Sequence, residues 1–167
     1  MNKETTEITY YKLNNELNRP INNQIPLHKD KEAVKAFFAE HIDPNTVQFA
    51  SLKEKILYLT ENDFIEKEFL EKYSMSFIEK LFDELYSVNF KFQSFMGAYK
   101  FYTQYALKTD DNKRYLERFE DRVAFNALFL ADGDEKLAQN IAMEIANQRY
   151  QPATPTFLNA GRKRRGE

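Results

Sequence analysis

Apolar side chains recur every three to four residues along most of the chain, which is the period of an amphipathic helix. No proline lies between Pro44 and Pro152, and only Gly97 and Gly133 interrupt residues 45–148. Because proline and glycine are the residues that most often end a helix, this distribution predicts a mainly α protein. The first apolar stripe comprises Val34, Phe37, Phe38, His41 and Ile42.

Serine residues mark the predicted starts of the next helices. Ser51 has Glu54 three residues later, the spacing of a capping box. Ser74 or Ser76 begins a second helix and Ser94 a third. The residues predicted to face inward on the first and third of these helices are Leu52, Ile56, Leu59, Phe95, Met96, Tyr99, Tyr102 and Ala106.

Two further helices are predicted near the C-terminal end. Residues 118–131 are apolar nearly all round after Arg122, so this helix is expected to be the most buried. Residues 132–134 form a tight turn in which Gly133 suits a left-handed backbone. The helix that follows is expected to turn Leu137, Ile141 and Ile145 inward.

Two stretches have weaker patterns. Residues 1–28 look irregular, and a weak alternation of Ile8, Tyr10 and Lys12 allows a short strand. Residues 66–73 predict a short helix whose glutamates and lysines form a solvated face with ion pairs.

Composition indicates a soluble globular protein. The 167 residues are 43% hydrophobic and 30% charged, enough for one ordinary domain or two small lobes. With 15 Phe and 10 Tyr, the core is expected to be rich in aromatic rings. The net charge of −2 gives no reason to expect a nucleic-acid or membrane partner.

The absence of cysteine excludes disulfides, thiolate zinc sites and cysteine nucleophiles within these residues. It fits a reducing compartment. No apolar run has the length of a membrane span, and the first residues have no signal-peptide pattern. The expected location is the cytoplasm.

Few residues are candidates for intrinsic chemistry. His28 and His41 are the only histidines, and His41 is interpreted as a hydrogen-bonded residue at the core edge. No Glu-x-x-His pair or glycine-rich phosphate loop occurs, so neither a metal site nor a catalytic residue is predicted. Phe95, Phe101 and the tyrosines around residue 100 are interpreted as core rather than as a platform for stacking bases.

The segment RYQPATPTFLNAGRKRRGE, residues 149–167, departs from the helical pattern. Pro155 biases Thr154 toward an extended backbone that presents its hydroxyl. Residues 159–161 predict a turn with exposed amides which, beside the basic residues 162–165, suits recognition of anionic oxygens. An ordinary surface turn is the alternative, and the basic run by itself also fits a solvated surface or a nucleic-acid patch.

This segment resembles a known family, as do several stretches before it. The stretches that carry the resemblance are residues 150–167, 45–47, 52–55, 100–102, 105–109 and 116–122. They are similar to the large (alpha) subunit of class Ib ribonucleotide reductase, from about residue 10 to the end. The resemblance implies an N-terminal helical domain with an extended C-terminal segment that leads into a ten-stranded α/β barrel. It divides the chain into a partial cone-like helical region (1–88), a helical lead-in (89–150) and the start of the catalytic barrel (151–167).

The family's enzymes reduce ribonucleoside diphosphates to 2′-deoxyribonucleoside diphosphates. The resemblance implies a partner beta subunit whose metal site generates a radical, a thiol reductant, nucleotide effectors and a cysteine pair in the alpha subunit. Of the residues present, it assigns only Thr154, as a substrate-binding residue. No cofactor is expected within these residues.

In the family, Arg-Arg-Gly-Glu leads within a few positions to a redox cysteine, which is missing here. The expectation is therefore the N-terminal piece of a split, interrupted or truncated alpha subunit, inactive without the rest of that subunit. The alternative is a non-catalytic helical interaction domain or an adenine-nucleotide-binding domain. A nucleic-acid binder with a basic tail is the third interpretation.

Overall fold

The computed structural model describes residues 8–17, 19–20, 22, 24 and 26–164, and all regular secondary structure among them is helical. Isolated β-bridges join loops but form no strand within this part of the chain. The prediction of a mainly α protein is confirmed. The α-helices are α1 (Thr9–Leu17), α2 (Leu27–Phe37), α3 (Leu52–Glu61), α4 (Met75–Ser87), α5 (Phe95–Lys100), α6 (Phe119–Ala131), α7 (Glu135–Ala146) and α8 (Thr154–Asn159).

Helix α1 lies where the sequence pattern allowed a short strand. Tyr10 is buried and Leu13, three residues later, packs against the same core, so the apolar spacing here is helical. The ring of Tyr10 lies 5.0 Å from that of Phe37 in α2. The strand suggested by Ile8, Tyr10 and Lys12 is wrong because packing against α2 stabilises a helix. Residues 1–7 lie outside the described part.

Two helices continue into a π-helical turn. Helix α2 runs on through Phe38–Ile42 and then into a 3-10 turn at Asp43–Asn45. Helix α5 runs on through Phe101–Tyr105, and the Ala106 N–H closes this second turn by donating to the Phe101 carbonyl at 2.9 Å. An extra residue in a turn changes which side chains face the core. The second π-helical turn carries Tyr105, which lies beside the C-terminal segment.

Serine residues cap α3, α4 and α5. The Oγ atoms of Ser51, Ser74 and Ser94 each accept a hydrogen bond from the backbone N–H three residues later, at 3.1, 3.2 and 3.1 Å. Glu54 also serves the start of α3, but its carboxylate accepts from the Ala50 N–H at 2.9 Å rather than from Ser51. These bonds satisfy N–H groups that have no partner inside a helix.

Helix α6 is the most buried helix of the described chain, with nine of its residues buried. Helix α7 packs against it through Ala138 and Ala142, which are fully buried, whereas Leu137 is 44% exposed. The prediction that Leu137 faces inward is wrong because small side chains let the two helices approach closely. Asp132 and Gly133, with φ of 48° and 101°, form the left-handed turn between them.

Two other predictions need correction. Met96 was expected to face inward, but it is 61% exposed because α5 turns Phe95 and Ala98 to the core instead. The short helix predicted at residues 66–73 is reduced to a 3-10 turn at Leu70–Lys72. The ion pairing expected in that stretch is present, with Lys67 Nζ 2.7 Å from the Glu71 carboxylate.

His41 lies at the edge of the aromatic core, as predicted. Its Nε2 atom is 3.1 Å from the Tyr115 hydroxyl, and its ring stacks on Phe37. Burial and, to a lesser extent, the charge of Lys108 lower the pKa of His41. Within the described chain, no cluster of three or more His, Asp or Glu side chains could hold a metal ion. None of the described helices is long and apolar enough to cross a membrane.

Candidate functional site

The C-terminal segment combines an irregular stretch with a short helix. Residues 150–153 have no regular structure, and Thr154 is the first residue of α8. The prediction of an extended Thr154 is wrong because Pro155 falls in the first turn of α8. A missing N–H costs nothing there, and the fixed φ of proline suits a helix start. Thr154 is nevertheless exposed, so its hydroxyl is accessible.

A cluster of three buried charges lies beneath this segment. Glu117 accepts from Arg122 Nη1 at 3.2 Å and from Arg162 Nη2 at 2.6 Å. The side chains of Glu117 and Arg122 are fully buried, and that of Arg162 is 7% exposed. Taking these charges out of water costs free energy that their mutual attraction offsets, so removing any one of them would leave a buried charge without its partner. We call these three residues the buried charge cluster.

The buried charge cluster also holds the backbone on both sides. Arg122 Nη2 donates to the carbonyl of Ala160, and Arg162 Nη2 donates to the carbonyl of Tyr105. Glu117 Oε2 accepts from the N–H of Leu107 at 3.1 Å. The cluster therefore ties the end of α8 to the end of the second π-helical turn.

A second polar contact attaches α8 to the core. Asn126 is fully buried in α6, and its Nδ2 atom donates to the carbonyl of Phe157 at 3.0 Å and to that of Arg122 at 2.9 Å. The ring of Phe157 is itself buried. Polar and apolar contacts together thus fix the position of the short helix that begins at Thr154.

The turn at residues 159–161 is present, but it is not exposed. Ala160 and Gly161 are buried, and the Gly161 carbonyl accepts from the Glu66 N–H at 2.9 Å. The expectation of exposed amides is wrong because this turn packs against the loop after α3. Gly161 has a φ of +70°, and its α-carbon lies against the ring of Phe69.

The basic run does not present a free anion site within the described residues. Arg162 is buried in the charge cluster. Lys163 lies 2.7 Å from the Asp63 carboxylate, and Arg164 pairs with Asp110. Arg165 lies outside the described residues. Recognition of anionic oxygens by this run stays a prediction: Arg162 is paired with Glu117, and the exposed Lys163 and Arg164 each already pair with a carboxylate.

Among the described residues, one side chain forms a hydrogen bond with that of Thr154. The Thr154 Oγ1 atom accepts a hydrogen bond from the Tyr105 hydroxyl at 3.3 Å. The sequence context of Pro155 indicated that Thr154 presents its hydroxyl, but the substrate-binding role came only from the family resemblance, and the buried charge cluster was not predicted. Polar residues such as Arg122 and Asn126, within the helix predicted to be the most buried, are the sequence features that point to buried partners.

A second concave region lies at the start of α6, away from Thr154. It is a cavity of about 670 Å3 between α2, α6 and the loop after α4. Arg118 on its wall is held by Asp43, with Nη2 2.8 Å from the carboxylate. The basic and aromatic residues that line it include Lys31, Lys35, Lys91, Phe38, Phe92 and Tyr102.

Comparison with known proteins assigns both halves of the chain. Residues 10–90 match the family "Ribonucleotide reductase N-terminal", and residues 91–165 match "Ribonucleotide reductase, all-alpha domain". A ribonucleoside-diphosphate reductase subunit alpha of Bacillus subtilis is 51% identical over 158 residues, which is 95% of this chain and 23% of that protein.

Similar proteins occur in a phage and in a mycoplasma. A reductase NrdEB subunit alpha of Bacillus phage SPbeta is 52% identical over 95% of this chain and 15% of its own length. A reductase subunit alpha of Mycoplasma pneumoniae is 48% identical over 83% of this chain and 19% of its own length. The chain thus spans less than a quarter of the length of these relatives.

Proposed function

We propose that this chain, which belongs to the ribonucleotide reductase family, is the N-terminal part of the alpha subunit of a class Ib ribonucleoside-diphosphate reductase. The observation that carries the proposal is its similarity to reductase alpha subunits over almost all of its residues. The resemblance of residues 150–167 to the class Ib segment supports the class. The division into residues 1–88, 89–150 and 151–167 belongs to the same proposal.

In this proposal the chain contributes to reduction of ribonucleoside diphosphates to 2′-deoxyribonucleoside diphosphates in the cytoplasm. It has no cysteine, so the thiyl radical and the reducing thiol pair lie in the rest of the alpha subunit. A metal-containing beta subunit supplies the radical, a thiol reductant supplies the electrons, and nucleotides act as effectors. The partners of this chain are the rest of the alpha subunit, the beta subunit and the substrate, without nucleic acid or membrane.

The part assigned to this chain's own residues is binding of substrate by Thr154. Its side chain is exposed, while the helix it begins is attached to the core by Asn126 and by the buried charge cluster. A hydroxyl on a fixed backbone loses little freedom when it binds, which favours affinity. Thr154 Oγ1 offers both a donor and an acceptor to a polar oxygen of the substrate.

Replacing Thr154 with valine tests this role. The assay uses the enzyme reconstituted from this chain, a polypeptide supplying the rest of the alpha subunit, and the beta subunit. Because a hydrogen bond to a charged ligand is lost, we expect the KM for the ribonucleoside diphosphate to rise roughly tenfold or more. T154S, which keeps the hydroxyl, is the matched control. An unchanged KM in T154V would rule out the substrate role.

The cavity beside Arg118 favours a second candidate function, binding of an adenine nucleotide. Its volume suits a small ligand, and Lys31, Lys35 and Lys91 with Phe38 and Phe92 offer partners for phosphates and a base. Calorimetry of the chain with dAMP, dATP and ATP tests this candidate. Binding that is weaker in K35M than in the wild type would support nucleotide binding in this cavity. The absence of a binding signal with all three nucleotides would rule it out.

A further inference from the structure

Tyr105 contacts Thr154 through its hydroxyl, and its ring packs against other aromatic rings. Its centroid is 6.4 Å from that of Phe101, with the two planes only 5° apart, and 5.9 Å from that of Phe157. The hydroxyl emerges from this stack and donates to Thr154 Oγ1 at 3.3 Å. The ring therefore has little freedom to move away from Thr154.

The backbone that carries Tyr105 is fixed as well. Its carbonyl accepts from Arg162 Nη2, and the N–H of Leu107, two residues later, donates to Glu117. The same two charged side chains meet in the buried charge cluster, whose third member, Arg122, holds Ala160. One rigid assembly thus supports both the donor, Tyr105, and the segment that carries the acceptor, Thr154.

We infer that Tyr105 is a positioning residue that orients the Thr154 hydroxyl toward the substrate, an inference that rests on the proposed role of Thr154. A threonine hydroxyl has one proton and two lone pairs, and its χ1 has more than one accessible rotamer near a helix start. The Tyr105 O–H occupies one lone pair and selects one rotamer. The Thr154 proton and the second lone pair are then directed away from Tyr105, where an oxygen of the substrate can meet them.

The orientation is measurable in this chain without catalysis. We expect NMR coupling constants to report a single χ1 rotamer for Thr154 in the wild type and rotamer averaging in Y105F. Y99F is the matched control, because Tyr99 belongs to the same aromatic region but its hydroxyl accepts from Tyr11 at 3.4 Å. Thermal unfolding of each variant reports whether the fold is retained. Averaging already present in the wild type, or a single rotamer in Y105F, would overturn the inference.

Kinetics of the reconstituted enzyme separate this inference from the proposed function. Y105F is expected to raise the KM about two- to tenfold with little change in kcat, since it removes one orienting hydrogen bond. In the T154V background, Y105F is expected to have no further effect. A KM raised by T154V but not by Y105F refutes the positioning role alone. A KM unaffected by T154V refutes the substrate role, and the NMR result then decides whether Tyr105 orients Thr154.

Discussion

Replacing Glu117 with glutamine is expected to lower the free energy of unfolding by about 3–5 kcal/mol. The substitution keeps the shape of the side chain and an oxygen for the Leu107 N–H. It removes the one negative charge that Arg122 and Arg162 share, and both guanidinium groups then stay buried without a counter-charge. Denaturant unfolding of E117Q and of the wild-type chain measures the difference.

A matched control for E117Q is E144Q. Glu144 also pairs with an arginine, Arg149, at 2.6 Å, but both side chains are about half exposed. Water and salt screen such a pair, so E144Q is expected to unfold at the same denaturant concentration as the wild type. Equal stability of E117Q and the wild type would contradict a stabilising role for the buried charge cluster.

The same cluster predicts how stability depends on pH. Burial alone would raise the pKa of Glu117, but the charges of Arg122 and then Arg162 outweigh it and hold the pKa below its ordinary value of 4.5. A carboxyl whose pKa is lower in the folded state stabilises the fold above the unfolded pKa. The stability difference between the wild type and E117Q is therefore expected to be full above about pH 5 and to shrink as the pH falls below 4.5.

Replacing Gly161 with alanine is expected to lower the free energy of unfolding by roughly 2–5 kcal/mol. Its φ of +70° is unfavourable for any side chain. A β-carbon would also lie 2.7 Å from two ring atoms of Phe69, which is itself buried against Phe129 and cannot move freely. Thermal or denaturant unfolding of G161A measures the effect.

The loss of stability in G161A has two contributions, the clash with the Phe69 ring and the strain of the backbone, and a second substitution separates them. In an F69L background the clashing ring atoms are absent, so G161A is expected to lower the free energy of unfolding by less than it does beside Phe69. The backbone strain at φ +70° persists in both backgrounds. Strictly additive effects of the two substitutions would show that contact with Phe69 contributes nothing.

Sequence patterns predicted the features that depend on neighbouring residues. The serine caps at Ser51, Ser74 and Ser94 follow from bonds that span three residues, and the burial of α6 follows from its composition. The pattern gave wrong predictions where packing between helices determines which side chains are buried. Leu137 and Ala138 are adjacent, and only the close approach of α6 selects the alanine for the interface.

The candidate site was harder to predict than the fold, because its residues are brought together by contacts between distant parts of the sequence. Residues 162–164 look alike in the sequence, yet Arg162 is buried whereas Lys163 and Arg164 are exposed. What separates them is a contact between Arg162 and Glu117, which lie 45 residues apart. Helical periodicity carries no information about a pair at that distance. Thr154 was assigned to substrate binding only through the family resemblance, because a threonine before a proline is also common in surface turns.

The measurement that tests the central claim most directly is turnover of ribonucleoside diphosphate by this chain, alone and after assembly. The chain is mixed with a polypeptide that supplies the rest of a class Ib alpha subunit, the beta subunit and a thiol reductant. We expect no 2′-deoxyribonucleoside diphosphate from the chain alone, since it has no cysteine, and steady turnover from the assembled mixture. A tight complex of all components that makes no product would contradict the assignment of this chain to a working reductase.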